Sequence, residues 1–232
     1  MLSIKLVGVG GIGTALLSFL PRYLTYQQEQ EVEFTLVDGD AFESRNVERQ
    51  TFSTPGNKAE VKAAELREEF PRLTVFSQPV FVSTKNVSQL IEGGDIVLLA
   101  VDNHATRLLV SKRCKQLWNV VLISAGNDLA TGSCQVYIRR NRQHLTNPID
   151  RWHQEIRFPT DQNPGDDPSC LVQAAQGEPQ LVITNMAAAL AMAMALYQFL
   201  EGNVPSEETY FDVRTGAFRP TERKVVHART TA

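Results

Sequence analysis

Apolar runs and amphipathic stretches alternate along the first half of this chain, and the alternation predicts strands and helices in turn. Ile4-Lys5-Leu6-Val7-Gly8-Val9 reads as a first strand, residues 12–24 as an apolar helix, and 32–37 as a second strand that ends on Asp38. The spacing predicts an amphipathic helix over 61–70, beginning near Asn57, with Val61, Ala64, Leu66 and Phe70 on its buried side and Pro71 at its end. A strand region at 73–82 is interrupted by Pro79, and a short helix at 87–92 stops at Gly93-Gly94. Residues 95–101 are an almost unbroken apolar run, as in a central parallel strand covered on both faces. A helix over 104–118 and a buried-type strand at 120–124 complete the alternation. The pattern predicts a mainly parallel α/β sheet with right-handed crossovers and helices on both faces.

The second half is patterned differently. Residues 126–132 read as a turn, and 133–138 alternate like a half-exposed strand. From 139 to 177 the composition shifts, with Asn141, Asn147, Pro148, Pro159, Asn163 and Pro164 breaking regular structure. A long polar segment inside a compact domain is usually functional or mobile; this one closes on Asp166-Asp167-Pro168-Ser169-Cys170. Residues 180–200 form the most apolar run, with a length that approaches a membrane span. Thr184, Asn185 and Gln198 interrupt it and basic flanks are lacking, so a buried or dimer-interface helix is expected there and no membrane segment. Residues 210–213 predict a further strand, followed by a turn near Gly216 and a polar tail.

Between the first strand and the first helix lies Gly8-Val9-Gly10-Gly11-Ile12-Gly13, and Asp38 closes the second strand. This is the order of a nucleotide-binding βαβ unit in a Rossmann-like, doubly wound sheet. Glycines let the turn tighten and let phosphate oxygens approach the backbone, and the helix start offers free N–H groups. Asp38 can accept hydrogen bonds from ribose hydroxyls. A merely structural glycine turn is the alternative. The next loop collects Asp40, Asn46, Arg49 and Gln50, with Lys58 near the start of the following helix. Arginine and lysine beside a triphosphate suit phosphoryl or nucleotidyl transfer, because they neutralise charge on phosphate oxygens; a solvated polar loop is the bland alternative. Asp102-Asn103 follow the central strand, at the carboxyl edge where open α/β sheets bind ligands. An acid there can hold Mg2+ against nucleotide phosphates or cap the next helix, and the two roles are compatible.

Composition narrows the classes without choosing among them. The 232 residues are 43% hydrophobic and 21% charged, with a formal net charge of −3, so no basic surplus favours nucleic acid. Three cysteines without a C-x-x-C pair argue against a disulfide framework or a cysteine-rich zinc site, and fit a reducing cytoplasm. A core strand at the very start leaves no room for a signal peptide, so a cytoplasmic protein is expected.

Gly8-x-Gly10-Gly11-x-Gly13, Asp38-x-Asp40, Ser44-x-Asn46-x-x-Arg49-Gln50, Lys58 and Asp102-Asn103-x-x-x-Arg107 form a combination more specific than any of its parts. Over most of residues 4–140 it resembles the ubiquitin-activating-enzyme-like adenylating proteins of the ThiF/MoeB/HesA type, and the C-terminal third is closest to compact bacterial ThiF-like members. The resemblance implies a single domain over 1–232. Within it, 1–140 would be the nucleotide-binding half, 141–180 a loop region with a candidate cysteine, and 181–232 a C-terminal helix and strands, with a mixed-sheet extension that helps form the partner surface. It implies ATP and Mg2+ as cofactors, a homodimer, and adenylation of the C-terminal carboxylate of a small ubiquitin-like or sulfur-carrier protein. In that mechanism Arg49 and Lys58 stabilise phosphate charge, Asp102 positions Mg2+, Asn46 orients phosphate and Asp38 holds the ribose. Gly8, Gly10, Gly11, Gly13, Asp40, Gln50, Asn103 and Arg107 complete the nucleotide site. Cys170 is a candidate thioester nucleophile or an inert thiol, and Asp166 and Asp167 would raise its pKa if close; Cys114 and Cys134 read as packing residues. The paired zinc motifs of many relatives are absent, so no structural zinc is expected. The chain is also expected to lack the N-terminal arm that in many relatives carries an arginine to the neighbouring active site, which leaves Arg45 and Arg107 as conceivable substitutes. An NAD(P)-dependent oxidoreductase and a catalytically silent nucleotide-binding scaffold are the alternatives.

Overall fold

A computed structural model of the chain describes residues 1–26, 30–43, 46, 50–166 and 181–221. Five parallel strands form its centre: β1 (Leu2–Val7), β2 (Val32–Val37), β5 (Thr74–Gln78), β6 (Ile96–Leu99) and β7 (Val120–Asn127). They lie in the order β5-β2-β1-β6-β7, so the strand order reverses beside β1. The sheet then continues antiparallel through β8 (Thr131–Arg140), β10 (Glu208–Asp212) and β11 (Ala217–Thr221), and the short β9 (Gln143–His144) pairs with β8. The small hairpin β3 (Ala41–Phe42) and β4 (Gly56–Asn57) stands apart.

Successive strand residues feed opposite faces, as the period of two requires. On one face Ile4, Leu6, Leu98 and Ile123 pack against α1 (Gly11–Leu17), α3 (Lys58–Glu69) and α7 (Val182–Leu200). On the other, Val7, Val97, Leu99 and Leu122 pack against α5 (His104–Gln116), with Ile91 just beyond the short α4 (Val87–Leu90) and Ile156 of the short α6 (Gln154–Arg157) in the same cluster. Helices therefore cover both faces, as the unbroken apolar runs predict. Cys114 and Cys134 are fully buried packing residues, each thiol pushed up to about 12 by that burial.

Several local expectations change. The helix expected over 12–24 is two helices, α1 and α2 (Leu20–Tyr26), parted at Ser18 and Phe19. Pro21 explains the break: it has no N–H to donate, and its ring would collide with a carbonyl one turn earlier. In α3 the buried side is Ala59, Ala63, Leu66 and the following Phe70, whereas Ala64 is exposed and Val61 half-buried. Asn57 sets that phase by accepting the N–H groups of Ala59 and Glu60 at 2.9 and 3.1 Å, which also turns Lys58 and Lys62 inward beside the Phe42 ring. The expected turn at 126–132 shrinks to 128–130, because β7 and β8 run on into it. Beyond Gly216, part of the expected polar tail forms β11. The apolar run at 180–200 becomes one helix, α7, long and apolar enough to cross a membrane. One side of it packs on the sheet through Ala188, Met192 and Leu196, and the other exposes Ile183, Met186, Leu190 and Tyr197.

Candidate functional site

The carboxyl ends of β1, β2, β6 and β7 open onto one cavity of about 1930 Å³, at the reversal of strand order. That edge is where open α/β sheets hold ligands. The glycine turn forms one wall. Gly8 takes φ +94°, and a Cβ there would lie 2.7 Å from the carbonyl oxygen of Ala100. A Cβ on Gly13 would lie 2.2 Å from the Gly8 oxygen, so the turn and the first helix close directly on each other. Gly11 is pressed against the side chain of Asn185 on α7. Gly10 differs: no atom of the described residues lies within 4 Å of where its Cβ would be, and it borders the cavity. Internal packing explains three of the four glycines; only the fourth leaves room for a ligand against bare backbone.

Asp38 ties this wall to the next. One of its carboxylate oxygens accepts the Val9 N–H at 2.6 Å and the other the Asp40 N–H at 2.8 Å. Burial raises its pKa, opposed first by the charge of Lys58 and then by those two N–H groups. The sequence suggests a ribose acceptor at this position and gives no hint of its role in holding the glycine turn. Lys58, buried at the start of α3, donates its ammonium to the Asp40 carboxylate, and its backbone N–H donates to the Asp40 oxygen at 2.9 Å. Asn57 donates to the carbonyl oxygens of both Asp38 and Asp40. The whole 38–40 segment is thereby fastened to one helix start.

Asn46 and Gln50 border the same cavity. The Asn46 side-chain oxygen accepts the Glu43 N–H at 2.9 Å, its carbonyl accepts the Gln50 N–H at 2.9 Å, and the buried Gln50 Oε1 has no partner among the described residues. Arg49 and Arg45 lie outside the described residues, and so does Cys170.

Across the cavity, Asn103 caps α5 by accepting the Thr106 N–H at 2.7 Å. The cap therefore falls to Asn103, and Asp102 stands exposed on the lining. Asp161 accepts the N–H groups of His104 and Ala105 at 2.6 and 2.8 Å. Arg107 is buried, with Nε and Nη2 donating to the Val101 carbonyl at 3.2 and 2.8 Å and Nη2 also to Ala125 at 2.8 Å. Burial lowers its pKa, opposed by Asp102 and Asp161. Two of its three nitrogens thus clasp the ends of β6 and β7, while the residue still borders the cavity. Among the described residues no group of three or more His, Cys, Asp or Glu side chains gathers as a metal site. A lone lining carboxylate such as Asp102 nevertheless suits Mg2+, which takes one or two carboxylates and completes its shell with phosphate and water.

The far wall holds a cluster that no local sequence signal announces. His153 places Nε2 at 2.8 Å from Glu208 and Nδ1 at 2.8 Å from Glu155, and the Glu208 bond leads the effects that raise its pKa. Gln135, paired with Glu208 across β8 and β10, lies 3.1 Å from the same ring. The alternating strand pattern hints at Gln135, but its partners are distant in sequence.

Comparison with known proteins agrees with this geometry. The chain is 31% identical over 118 residues to the SAMP-activating enzyme E1 of Haloferax volcanii, a match that covers 48% of this chain and 41% of that one. It is 27% identical over 198 residues to the sulfur carrier protein adenylyltransferase of Thermus thermophilus, covering 84% and 69%. The match to the first relative therefore spans about two fifths of that protein's length. Its fold is shared with E. coli MccB crystallised with ATP (TM-score 0.72, 19% identity, 95% of this chain and 63% of that one). It is shared also with the protein PaaA (TM-score 0.70, 17% identity, 96% and 73%). The model of the ThiF family matches residues 1–230, and this chain belongs to the ThiF family.

Proposed function

We propose that the protein binds ATP with Mg2+ and adenylates the C-terminal carboxylate of a small ubiquitin-like or sulfur-carrier protein. The observation that carries this reading is the bare backbone at Gly10, which faces a cavity bordered by Lys58 and Asp102 at the carboxyl edge of the sheet. Names of the relatives support it: one activates SAMP, the other adenylates a sulfur carrier. Membership of the ThiF family weighs against the hydride-transfer alternative.

In this mechanism the glycine turn receives the phosphates, and Asp38 uses its remaining lone pairs for the ribose. A carboxylate oxygen of the carrier attacks the α-phosphorus; the bond from that phosphorus to the β-phosphate bridging oxygen breaks, and pyrophosphate leaves with the electron pair. Lys58 and Arg49 stabilise the charge that shifts onto phosphate oxygens, and Asn46 and Gln50 orient the phosphates. Asp102 would hold Mg2+, whose contribution is to neutralise and align the triphosphate. A second step assigns Cys170 as nucleophile: its thiolate attacks the acyl carbon, AMP departs, and a thioester remains. We further infer one domain spanning the chain, a homodimer formed through the exposed side of α7, and a reducing cytoplasmic setting, which fits the free buried thiols Cys114 and Cys134.

The test is ATP–pyrophosphate exchange with a carrier protein ending in Gly-Gly, followed by mass spectrometry of the mixture. Exchange dependent on carrier supports adenylation, and hydride transfer from a nicotinamide cofactor without exchange refutes it. Cys170→Ala should leave exchange nearly intact and abolish a reductant-sensitive conjugate; a conjugate that persists removes the thioester step.

A further inference from the structure

Asn185 lies in the first turn of α7, 1% exposed, and neither its Nδ2 nor its Oδ1 has a hydrogen-bond partner among the described residues. Its neighbour Thr184, equally buried, is satisfied: the hydroxyl donates to the Leu129 carbonyl at 2.7 Å. The carboxamide of Asn185 is pressed against Gly11, where a Cβ would lie 2.3 Å from Nδ2 and 2.9 Å from Cγ. Gly11 and Leu129 border the cavity from two walls, and Asn185 stands behind Gly11. The first turn of α7 is therefore a brace between the glycine turn and the β7–β8 turn, with one satisfied and one unsatisfied polar group.

An apolar residue of the same shape would fill this position without the penalty of a buried, unpaired amide. A buried, unpaired polar group in a native protein calls for an explanation, and a ligand-bound state that pairs it is one. We propose that Asn185 is a positioning residue for the triphosphate. Its amide finds partners in the backbone of the Gly10–Gly11 turn only when phosphate draws that turn into its bound shape. Nucleotide binding then gains what the ligand-free protein lacks. The inference rests on the reading of the cavity as an ATP site. It predicts that the residue acts through the turn on phosphate and leaves recognition of the nucleoside untouched.

The experiment compares wild type, Asn185→Leu and Asn185→Ala in the full chain. ATP affinity is read by calorimetry, adenosine binding by saturation-transfer NMR, and thermal stability without ligand by circular dichroism. Leucine keeps the shape of the side chain and removes its hydrogen bonds; alanine guards against a misfit of leucine. The expected result is ATP binding about three- to ten-fold weaker, the scale of one lost hydrogen bond between neutral groups. Adenosine binding should be unchanged, and the ligand-free melting temperature of the leucine variant equal to or above that of wild type. ATP binding as in wild type in both variants overturns the inference alone. A joint loss of ATP and adenosine binding with a lowered melting temperature makes Asn185 a packing residue and overturns it equally. Wild-type protein that binds no ATP removes the reading of the cavity, and this inference with it.

Discussion

Lys58 offers the sharpest separation of stability from chemistry. Its side chain is 8% exposed and paired with Asp40, whose side chain is 48% exposed. Breaking a fully buried ion pair by removing one partner typically costs about 3–5 kcal/mol, because a charge is stranded away from water. Here Asp40, the stranded partner, is half in solvent and keeps the Ala41 N–H at 2.8 Å. Asp38 loses the charge of the lysine but keeps the N–H groups of Val9 and Asp40. The cost therefore falls toward that of an exposed pair, roughly 0–1 kcal/mol. Methionine matches the length of the lysine stem, and the ammonium it removes lies 6.0 Å from the centre of the Phe42 ring, a contact worth about 0.5–1 kcal/mol at most sites. Lys58→Met should therefore shift the melting temperature by about 8 °C or less for a chain of this size. If the ammonium stabilises phosphate charge in the transition state, the same change should depress pyrophosphate exchange on the order of 10²-fold or more. Thermal unfolding and exchange kinetics on one preparation decide the matter. Exchange within about three-fold of wild type would refute the role outright. Equal collapse of stability and exchange would show that Lys58 acts only by holding the 38–40 segment.

Three further outcomes follow from particular contacts. The pKa of His153 is raised by Glu208 and Glu155, so its contribution to stability is fully present below the ordinary histidine value of about 6.5 and is lost as pH rises through the folded value; melting temperatures should fall across that window, and His153→Gln should flatten the fall. Gly13→Ala forces a Cβ onto the Gly8 carbonyl oxygen, which should destabilise the protein by about 1–3 kcal/mol and weaken ATP binding, read by chemical denaturation and calorimetry. Leu190→Glu with Met186→Glu charges the exposed side of α7 and should convert a dimer to a folded monomer in sedimentation; an unchanged sedimentation coefficient would place the interface elsewhere.

What the sequence made legible was local. The strand, glycine turn, helix and acid at residues 4–38 are read from neighbours, and each of those links survives in the structure except the break at Pro21. Asp102 and Asn103 stand at the strand end that the apolar run predicts, and the division between capping and lining is set by the Asn103 side chain. The phase of α3 was misread because the apolar pattern is weak there and Asn57, by capping, fixes which residues turn inward. Long-range partners were invisible. Asp161 reaches His104 across 57 positions, and Glu208 reaches Gln135 across 73. Arg107 was singled out by motif, yet the carbonyls that occupy it belong to strand ends whose neighbourhood is set by the sheet.

The charges around the glycine turn also bear on how a nucleotide could be held there. Among the described residues, Asp38, Asp40, Glu43, Asp102, Asp128, Glu155, Asp161 and Asp212 share the lining with Lys58, Arg107 and Arg219, eight carboxylates to three cations. Two of these cations are already engaged: Lys58 bonds to Asp40, and Arg107 bonds to backbone carbonyls within the field of Asp102 and Asp161. A free triphosphate would meet this wall as an anion meeting a net negative surface, and the N–H groups of the turn supply only partial charges against it. Binding of ATP therefore depends on counter-charge from outside these groups. In the proposed function two sources supply it, Arg49 and a divalent cation on Asp102. Calorimetry with excess Mg2+ and with chelator should show ATP affinity falling steeply on chelation, while adenosine affinity stays constant. Asp102→Asn should shrink that dependence, since it removes the carboxylate for the cation and part of the repulsion at once. ATP affinity indifferent to Mg2+ in the wild type would mean that Arg49 and its neighbours suffice, and would take Asp102 out of the metal role.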